Sequence, residues 1–327
     1  MRVLIATKKL VVFDVLKDME GIECEEALFT GQIYDTLPKV QLVIIDFDDV
    51  VEHPYKVDML KGVFAEKGIL FVTSEEFLAQ PDRWLAEARE VKGAITALPE
   101  KRVIAFVSYS GGTGKTTLAL DTALHFARRT KMPAMLVEFT YGESTLAALT
   151  GLEMPYLFDL ATQLDIEAAN WKGVTLVPMD YDHCQDLSVR QIGRYIEVQT
   201  EKHVLIVVDS RWPHGLIGAV KDDVDEWFVV ATPRIDAVEN AKRLQGELGP
   251  KASIVINQKG TVVDSLALAG VERALDLPLI RQADRFEGQL GRQILSQIYG
   301  PQNWRRYEPP SFIARIGHRL GLGRASH

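Results

Sequence analysis

Short apolar runs alternate with amphipathic stretches along this chain, which is the pattern of strands joined by helices. In the first hundred residues, three apolar runs predict buried strands, at residues 2–6, 41–45 and 68–72. Stretches with helical spacing lie between and after them, at residues 13–19, 56–66 and 82–91. This alternation favours a small parallel sheet with helical crossovers.

Longer apolar runs predict a second, larger sheet in the rest of the chain. The predicted strands are at residues 103–107, 203–209, 227–233 and 252–258, and the predicted helices are at 118–129 and 235–248. The boundary between the two halves is placed near residues 97–100. No linker rich in Gly, Ser or Pro separates them, which favours two units in contact. The sequence predicts an α/β protein with units at 1–98 and 99–300 that pack together, followed by a tail at 301–327.

The sequence Ser-Gly-Gly-Thr-Gly-Lys-Thr-Thr at residues 110–117 carries the clearest chemistry in the chain. Its glycines, placed between a predicted strand and a predicted helix, allow turns that point successive backbone N–H groups at an anion. Lys115 has the reach to contact β and γ phosphates, and the Thr116 hydroxyl is a suitable Mg²⁺ ligand. The pattern predicts a phosphate-binding loop formed by Gly111, Gly112, Thr113, Gly114, Lys115, Thr116 and Thr117.

An acidic residue downstream of this loop has the form of a Walker B aspartate. Asp209 directly follows five apolar residues of a predicted buried strand. A carboxylate at a strand end could simply cap a turn. Its position downstream of a phosphate-binding loop favours a second role, in which Asp209 holds Mg²⁺ through a water molecule.

The adjacent glycines Gly111 and Gly112, with tyrosine at position 109, resemble the deviant Walker loop of the MinD/ParA family of positioning and partitioning ATPases. The resemblance covers about residues 101 to 300. It implies a P-loop NTPase fold with a mostly parallel sheet, bound ATP and Mg²⁺, and a homodimer. It also implies that Asn257 contacts the adenine edge, although asparagine at a strand end is equally common as a turn residue.

Two positions depart from this family. The family's lysine before the two glycines is Ser110 here, and its two aspartates are Glu138 and Thr140. Glu138 keeps a carboxylate that can contact a magnesium-bound water, whereas threonine cannot hold the negative charge that positions the attacking water. We therefore expect tight ATP binding with weak or absent hydrolysis and assign no catalytic residue. Glu143 is the nearby acid that could substitute.

The first unit resembles a response-regulator receiver domain, which has a flavodoxin-like fold. Asp46 follows a predicted strand where a receiver has its phosphorylated aspartate, and a Thr-Ser pair at residues 73–74 stands where it has a hydroxyl switch residue. The expected Mg²⁺-binding acidic pair is replaced by Ala-Thr at residues 6–7, and the expected lysine is Leu98. Because phosphoryl transfer needs that charge neutralisation, we expect a docking module.

A degenerate receiver-like unit followed by a MinD-like ATPase is similar to the arrangement of the TadZ/CpaE group, which localises type IV pili of the Tad class. Both units are then three-layer, doubly wound α/β structures. The resemblance implies an ATP-binding localisation scaffold with nucleotide-controlled dimerisation, whose partners are pilus or secretion assembly proteins. The alternative is an actively cycling MinD/ParA-type ATPase that positions flagella, division machinery or other cargo.

Charge and composition argue against several classes of partner and site. The net charge is −8, and the first hundred residues hold 11 basic and 19 acidic residues, which argues against nucleic-acid binding. Cys24 and Cys184 have no partner spacing, so neither a disulfide nor a metal cluster is expected. The chain has no apolar run of about eighteen residues, and the expected location is the cytoplasm.

The tail has a basic amphipathic pattern. A predicted helix after Ser311 places Phe312, Ile313, Ile316 and Leu320 on one face, flanked by arginines. This resembles the C-terminal membrane-targeting helix of MinD and implies peripheral contact with the inner face of the membrane or the cell pole. The alternative is that the same face docks on the chain's own core or on a partner.

Overall fold

The computed structural model describes residues 1–17, 19, 21–37, 40–67, 70–90, 100–163, 166–259, 271–272, 275–279, 286 and 288–307. Within these ranges the strands form two sheets, one of four strands and one of eight. Residues 91–99, which include Leu98 and most of the predicted boundary, lie outside the described residues. So does the predicted tail helix after Ser311.

The first sheet is entirely parallel in the described residues. Its strands are β1 (Arg2–Ala6), β2 (Glu23–Glu26), β3 (Leu42–Ile45) and β4 (Phe71–Val72), in the order β2-β1-β3-β4. This is the order of the first four strands in a flavodoxin-like sheet. The helices that connect or follow them are α1 (Val11–Lys17), α2 (Thr30–Thr36), α3 (Val57–Lys67), α4 (Ser74–Ala79) and α5 (Pro81–Glu90).

Alternate side chains of β1 enter two different cores, as strand geometry requires. Val3 and Ile5 pack with apolar residues of α1, α4 and α5, whereas Leu4 and Ala6 pack with those of α2 and α3. The sheet is therefore the middle of three layers. The apolar pattern did not predict β2, because all four of its residues, Glu-Cys-Glu-Glu, are exposed at the sheet edge.

The second sheet contains all four strands that the pattern predicted in this half, with their ends shifted by a few residues. Its strands are β5 (Arg102–Ser108), β6 (Ala134–Phe139), β7 (Ala169–Trp171), β8 (Val174–Val177), β9 (Leu205–Arg211), β10 (Glu226–Ala231), β11 (Ala252–Lys259) and β12 (Leu275–Pro278). The order is β12-β11-β10-β5-β9-β6-β8-β7. In this described sheet only β7 is antiparallel to its neighbour.

Helices cover both faces of the second sheet. They are α6 (Lys115–Thr130), α7 (Thr145–Thr150), α8 (Leu157–Thr162), α9 (Tyr181–Cys184), α10 (Val189–Lys202), α11 (Ile235–Leu248), α12 (Gln289–Tyr299) and α13 (Pro301–Trp304). The core on the α6 and α12 face is continuous with the α2 and α3 side of the first sheet. No helix in the described part of the chain has both the length and the apolar composition needed to cross a bilayer.

A buried carboxylate joins α6 to α12. Asp121 accepts hydrogen bonds from the backbone N–H groups of Gly288 (2.9 Å), Leu290 (3.1 Å) and Gly291 (2.8 Å), which lie at the start of α12. The two helices approach so closely that a Cβ at Gly291 would lie 2.5 Å from the Asp121 carbonyl oxygen. Asp121 therefore fixes α12 against the helix that follows the predicted phosphate-binding loop.

Replacing Asp121 by alanine should lower the free energy of unfolding by about 3 kcal/mol, because it leaves three buried N–H groups without an acceptor. Urea unfolding followed by circular dichroism measures the change. Asp222→Ala, which removes an exposed carboxylate, is the matched control. A loss in Asp121→Ala no larger than that of the control would contradict the helix-fixing role.

Candidate functional site

The predicted phosphate-binding loop connects β5 to α6 and turns through two left-handed glycines. Gly112 has φ +72° and Gly114 has φ +86°, conformations that favour glycine. Gly114 is also confined by its surroundings, since a Cβ there would overlap the side-chain amide nitrogen of Asn257. That nitrogen donates to the Thr113 carbonyl at 2.8 Å. In this structure the buried Asn257 thus supports the loop, and its contact with adenine stays a prediction.

Thr116 and Asp209, two of the three residues predicted for the Mg²⁺ site, lie in direct contact. The Thr116 hydroxyl donates to Oδ2 of Asp209, while the buried Oδ1 has no hydrogen-bond partner among the described residues. Burial raises the pKa of Asp209, and the opposing influences are the Lys115 charge and the Thr116 hydrogen bond. A buried acidic oxygen without a partner, next to a hydroxyl, fits the oxygen ligands that Mg²⁺ prefers.

Lys115 is the first residue of α6 and is half-buried. Burial lowers the pKa of the Lys115 ammonium, and the charge of Asp209 opposes that shift. A half-buried cation beside two left-handed glycines and a helix N-terminus forms an anion-binding cradle. The residues present therefore fit a polyphosphate with bound Mg²⁺. The phosphates would pair with the Lys115 ammonium, and the Mg²⁺ ion would pair with the Asp209 carboxylate.

Glu138 lies next to Asp209, its register partner across β6 and β9, but its carboxylate is engaged elsewhere. One oxygen accepts from the Ser144 hydroxyl at 2.5 Å and the other from the Thr145 N–H at 2.9 Å, at the start of α7. Burial and the Asp209 charge raise the pKa of Glu138 to about 7. Its contact with a magnesium-bound water remains a prediction.

The loops after β6 and β9 are tied together at residues that the sequence reasoning did not assign. The Tyr141 hydroxyl donates to the Pro213 carbonyl at 2.7 Å, and the His214 ring lies 3.2 Å from the Thr140 carbonyl. The Tyr141 and His214 ring centroids are 4.6 Å apart. In the sequence, Tyr141 and His214 stand out only as aromatic residues. Aromatic character alone does not predict that the two side chains contact each other.

A second tie connects α11 to the phosphate-binding loop. Glu247 accepts from the Tyr109 hydroxyl at 2.7 Å through one oxygen and from the Trp212 indole at 3.1 Å through the other. Tyr109 precedes the loop and Trp212 follows β9, so one carboxylate holds both edges of the site. The sequence places Glu247 on an ordinary helix surface and gives no sign of this role.

The receiver-like site in the first sheet is closed by internal hydrogen bonds. Asp46 accepts from the hydroxyls of Thr7 (2.7 Å) and Ser74 (2.5 Å), and the Lys9 ammonium lies 3.6 Å away. Burial raises the pKa of Asp46, but these hydrogen bonds and the Lys9 charge outweigh it and hold the pKa below its usual value. Thr7, which the resemblance to a receiver domain places in the position of a metal-binding acid, is one of these donors.

The chain is similar in sequence to curated MinD proteins. No known protein-family profile matches the chain. It is 28% identical over 200 residues to the septum site-determining protein MinD of Synechocystis sp., covering 55% of this chain and 74% of that protein. It is 25% identical over 229 residues to the MinD-type protein of Oltmannsiellopsis viridis, covering 64% of this chain and 68% of that one.

A solved structure agrees on the fold. The ParA family ATPase of Chlorobium tepidum superimposes with a TM-score of 0.50 at 18% identity, covering 64% of this chain and 98% of that one. The predicted α/β class with a mostly parallel sheet is thereby confirmed. The chain is thus similar in sequence to MinD proteins and in fold to a ParA family ATPase.

Gly114→Ala should destabilise the chain by about 2 kcal/mol or more, since it puts a Cβ in left-handed conformation against Asn257. Gly111→Ala is the matched control, because a Cβ at Gly111 meets no heavy atom within 4 Å and its φ is not positive. Urea unfolding without nucleotide compares the two variants. Equal stabilities would show that the loop does not hold the described conformation.

Asp46 should not accept a phosphoryl group, because its carboxylate is already hydrogen-bonded and Thr7 replaces a metal-binding acid. Incubation with acetyl phosphate and Mg²⁺, followed by intact-protein mass spectrometry, is expected to show no phosphoryl adduct. Asp46→Asn serves as the control for adducts at other sites. An adduct on the wild type that is missing from this variant would restore the signalling role of a receiver.

Proposed function

We propose that this chain is an ATP- and Mg²⁺-binding localisation scaffold whose dimerisation is controlled by the bound nucleotide. The observation that carries the proposal is Oδ1 of buried Asp209, which has no hydrogen-bond partner in the described part of the chain and lies beside Thr116 and Lys115 at the end of a glycine loop. When bound, Mg²⁺-ATP supplies the cation and the phosphates that these groups fit. The chain's own residues would hold the phosphate chain, and Asp209 would hold the cation through a water molecule.

The same geometry supports weak or absent hydrolysis. A water-positioning carboxylate would have to lie near the terminal phosphate. Position 140 is threonine, and both oxygens of Glu138 accept hydrogen bonds from residues at the start of α7. Glu143, which is exposed in the loop after β6, is the remaining acid of that segment.

The receiver-like unit supports the scaffold role. Its Asp46 is held by Thr7, Ser74 and Lys9 in a fixed arrangement, which suits a docking module better than a phosphorylation switch. We propose units at 1–98 and 99–300 and a peripheral membrane or polar location mediated by the tail at 301–327. The proposed partners are a second copy of this chain and proteins of type IV (Tad) pilus or secretion assembly. Nucleic acid is not a proposed partner.

A cycling ATPase that positions other cargo is the second candidate. The similarity to septum site-determining MinD proteins favours it, because those proteins are named for placing the division septum. The two candidates share the nucleotide site and differ in whether the bound ATP turns over. The identity of the retained nucleotide therefore distinguishes them.

The purified protein, incubated with ATP and Mg²⁺ and then denatured to release its ligand, should yield intact ATP. Lys115→Ala should retain far less nucleotide, because it removes the cation of the phosphate-binding loop. Light scattering of the same samples should show a dimer with ATP. Recovered ADP would favour the cycling ATPase, and a monomer under every nucleotide condition would remove the dimerisation switch.

A further inference from the structure

Arg211 is a cation at the edge of the phosphate-binding loop. It has no part in the nucleotide site formed by Lys115, Thr116 and Asp209. It is the last residue of β9 and lies in register with Ser108, the last residue of β5 before the loop. Its side chain is exposed. Among the described residues its guanidinium makes no hydrogen bond or ion pair. An arginine left unpaired beside an anion cradle is available for a ligand.

The strand geometry places Arg211 on the ligand side of the sheet. Residues two apart on a strand share a face, so Arg211 lies on the same face as Asp209, about 7 Å further toward the carboxyl edge. Asp209 already contacts Thr116 on that face. The Arg211 charge also reaches Lys115, because it adds to the lowering of the Lys115 pKa that burial causes.

The backbone around Arg211 is fixed although its side chain is free. The Trp212 N–H donates to the Ser108 carbonyl at 2.9 Å, and its indole donates to Glu247 at 3.1 Å. Arg211 is therefore held between a ladder of strand hydrogen bonds and an anchored tryptophan. A ligand that engaged its guanidinium would need to order only the side chain, which limits the entropic cost of binding.

The local charge balance favours an anionic ligand. Two cations, Lys115 and Arg211, lie near the Asp209 carboxylate, and the neighbouring Glu138, whose pKa is raised to about 7, carries only part of a second negative charge at neutral pH. The loop itself contributes no cation other than Lys115, since position 110 is serine. An arginine fork binds phosphate oxygens with paired, charge-assisted hydrogen bonds.

We propose that Arg211 binds the terminal phosphate of a nucleoside triphosphate held in the same chain, so that the site distinguishes a triphosphate from a diphosphate. This inference rests on the proposed nucleotide-binding function. Lys115 would contact the β and γ phosphates, and Asp209 would hold the metal ion. Arg211, further out along the same face, then lies on the γ side.

The test compares the affinity of a non-hydrolysable ATP analogue with that of ADP, by calorimetry with Mg²⁺ at protein concentrations that keep the chain monomeric. Arg211→Ala should weaken binding of the ATP analogue roughly ten-fold or more, and binding of ADP less than about three-fold. Arg211→Lys should recover part of the loss. Arg234→Ala is the matched control, because Arg234 also follows a strand at this edge but pairs with Asp236.

The outcomes separate this inference from the function on which it rests. A wild type that binds neither nucleotide, or a Lys115→Ala variant that binds as well as the wild type, would overturn the proposed function. Wild-type binding that depends on Lys115 but is unchanged by Arg211→Ala would overturn the role of Arg211 alone. An equal loss of affinity for both nucleotides would show that Arg211 does not read the terminal phosphate.

Discussion

The buried carboxylate of Asp209 is the constraint on which the nucleotide site depends. A carboxylate removed from water must be paired, hydrogen-bonded or protonated. Thr116 satisfies one oxygen and Lys115 supplies part of the opposing charge, but the second oxygen has no described partner. This unsatisfied oxygen makes the end of β9 a place where a cation is stabilising rather than merely tolerated.

The position of Glu138 follows from the same constraint. Two carboxylates on adjacent strands cannot both ionise cheaply in a buried site, and the pKa of Glu138 rises to about 7 because of burial and the Asp209 charge. The Glu138 carboxylate accepts hydrogen bonds from a hydroxyl and an N–H group at the start of α7, where the helix dipole also favours a negative charge. One acid thus stays open to a metal while its neighbour anchors the following helix.

Asp46 in the first sheet offers a contrast with Asp209. Both are acids at the carboxyl end of a parallel strand, where ligands of α/β folds gather. Asp46 accepts two hydroxyls and a backbone N–H and lies beside an ammonium, so nothing remains for a ligand to satisfy. The difference between the two sites lies in their neighbours, not in the aspartates.

The sequence by itself determined the α/β class, the strands with long apolar runs and the loop at 110–117, because buried strands and glycine turns depend on local patterns. It also indicated Asp209, which an apolar run precedes directly. It missed β2, whose four side chains are exposed, and it could not determine which distant residues surround the loop. Asn257 donates to the carbonyl of Thr113, 144 residues away in the sequence, and Glu247 accepts from Trp212, 35 residues away. The charge of Arg211 likewise acts on Lys115, a residue of another strand–helix unit. Only tertiary packing decided these contacts, because the strand order of the sheet brings together strand ends and loops that no local sequence pattern connects.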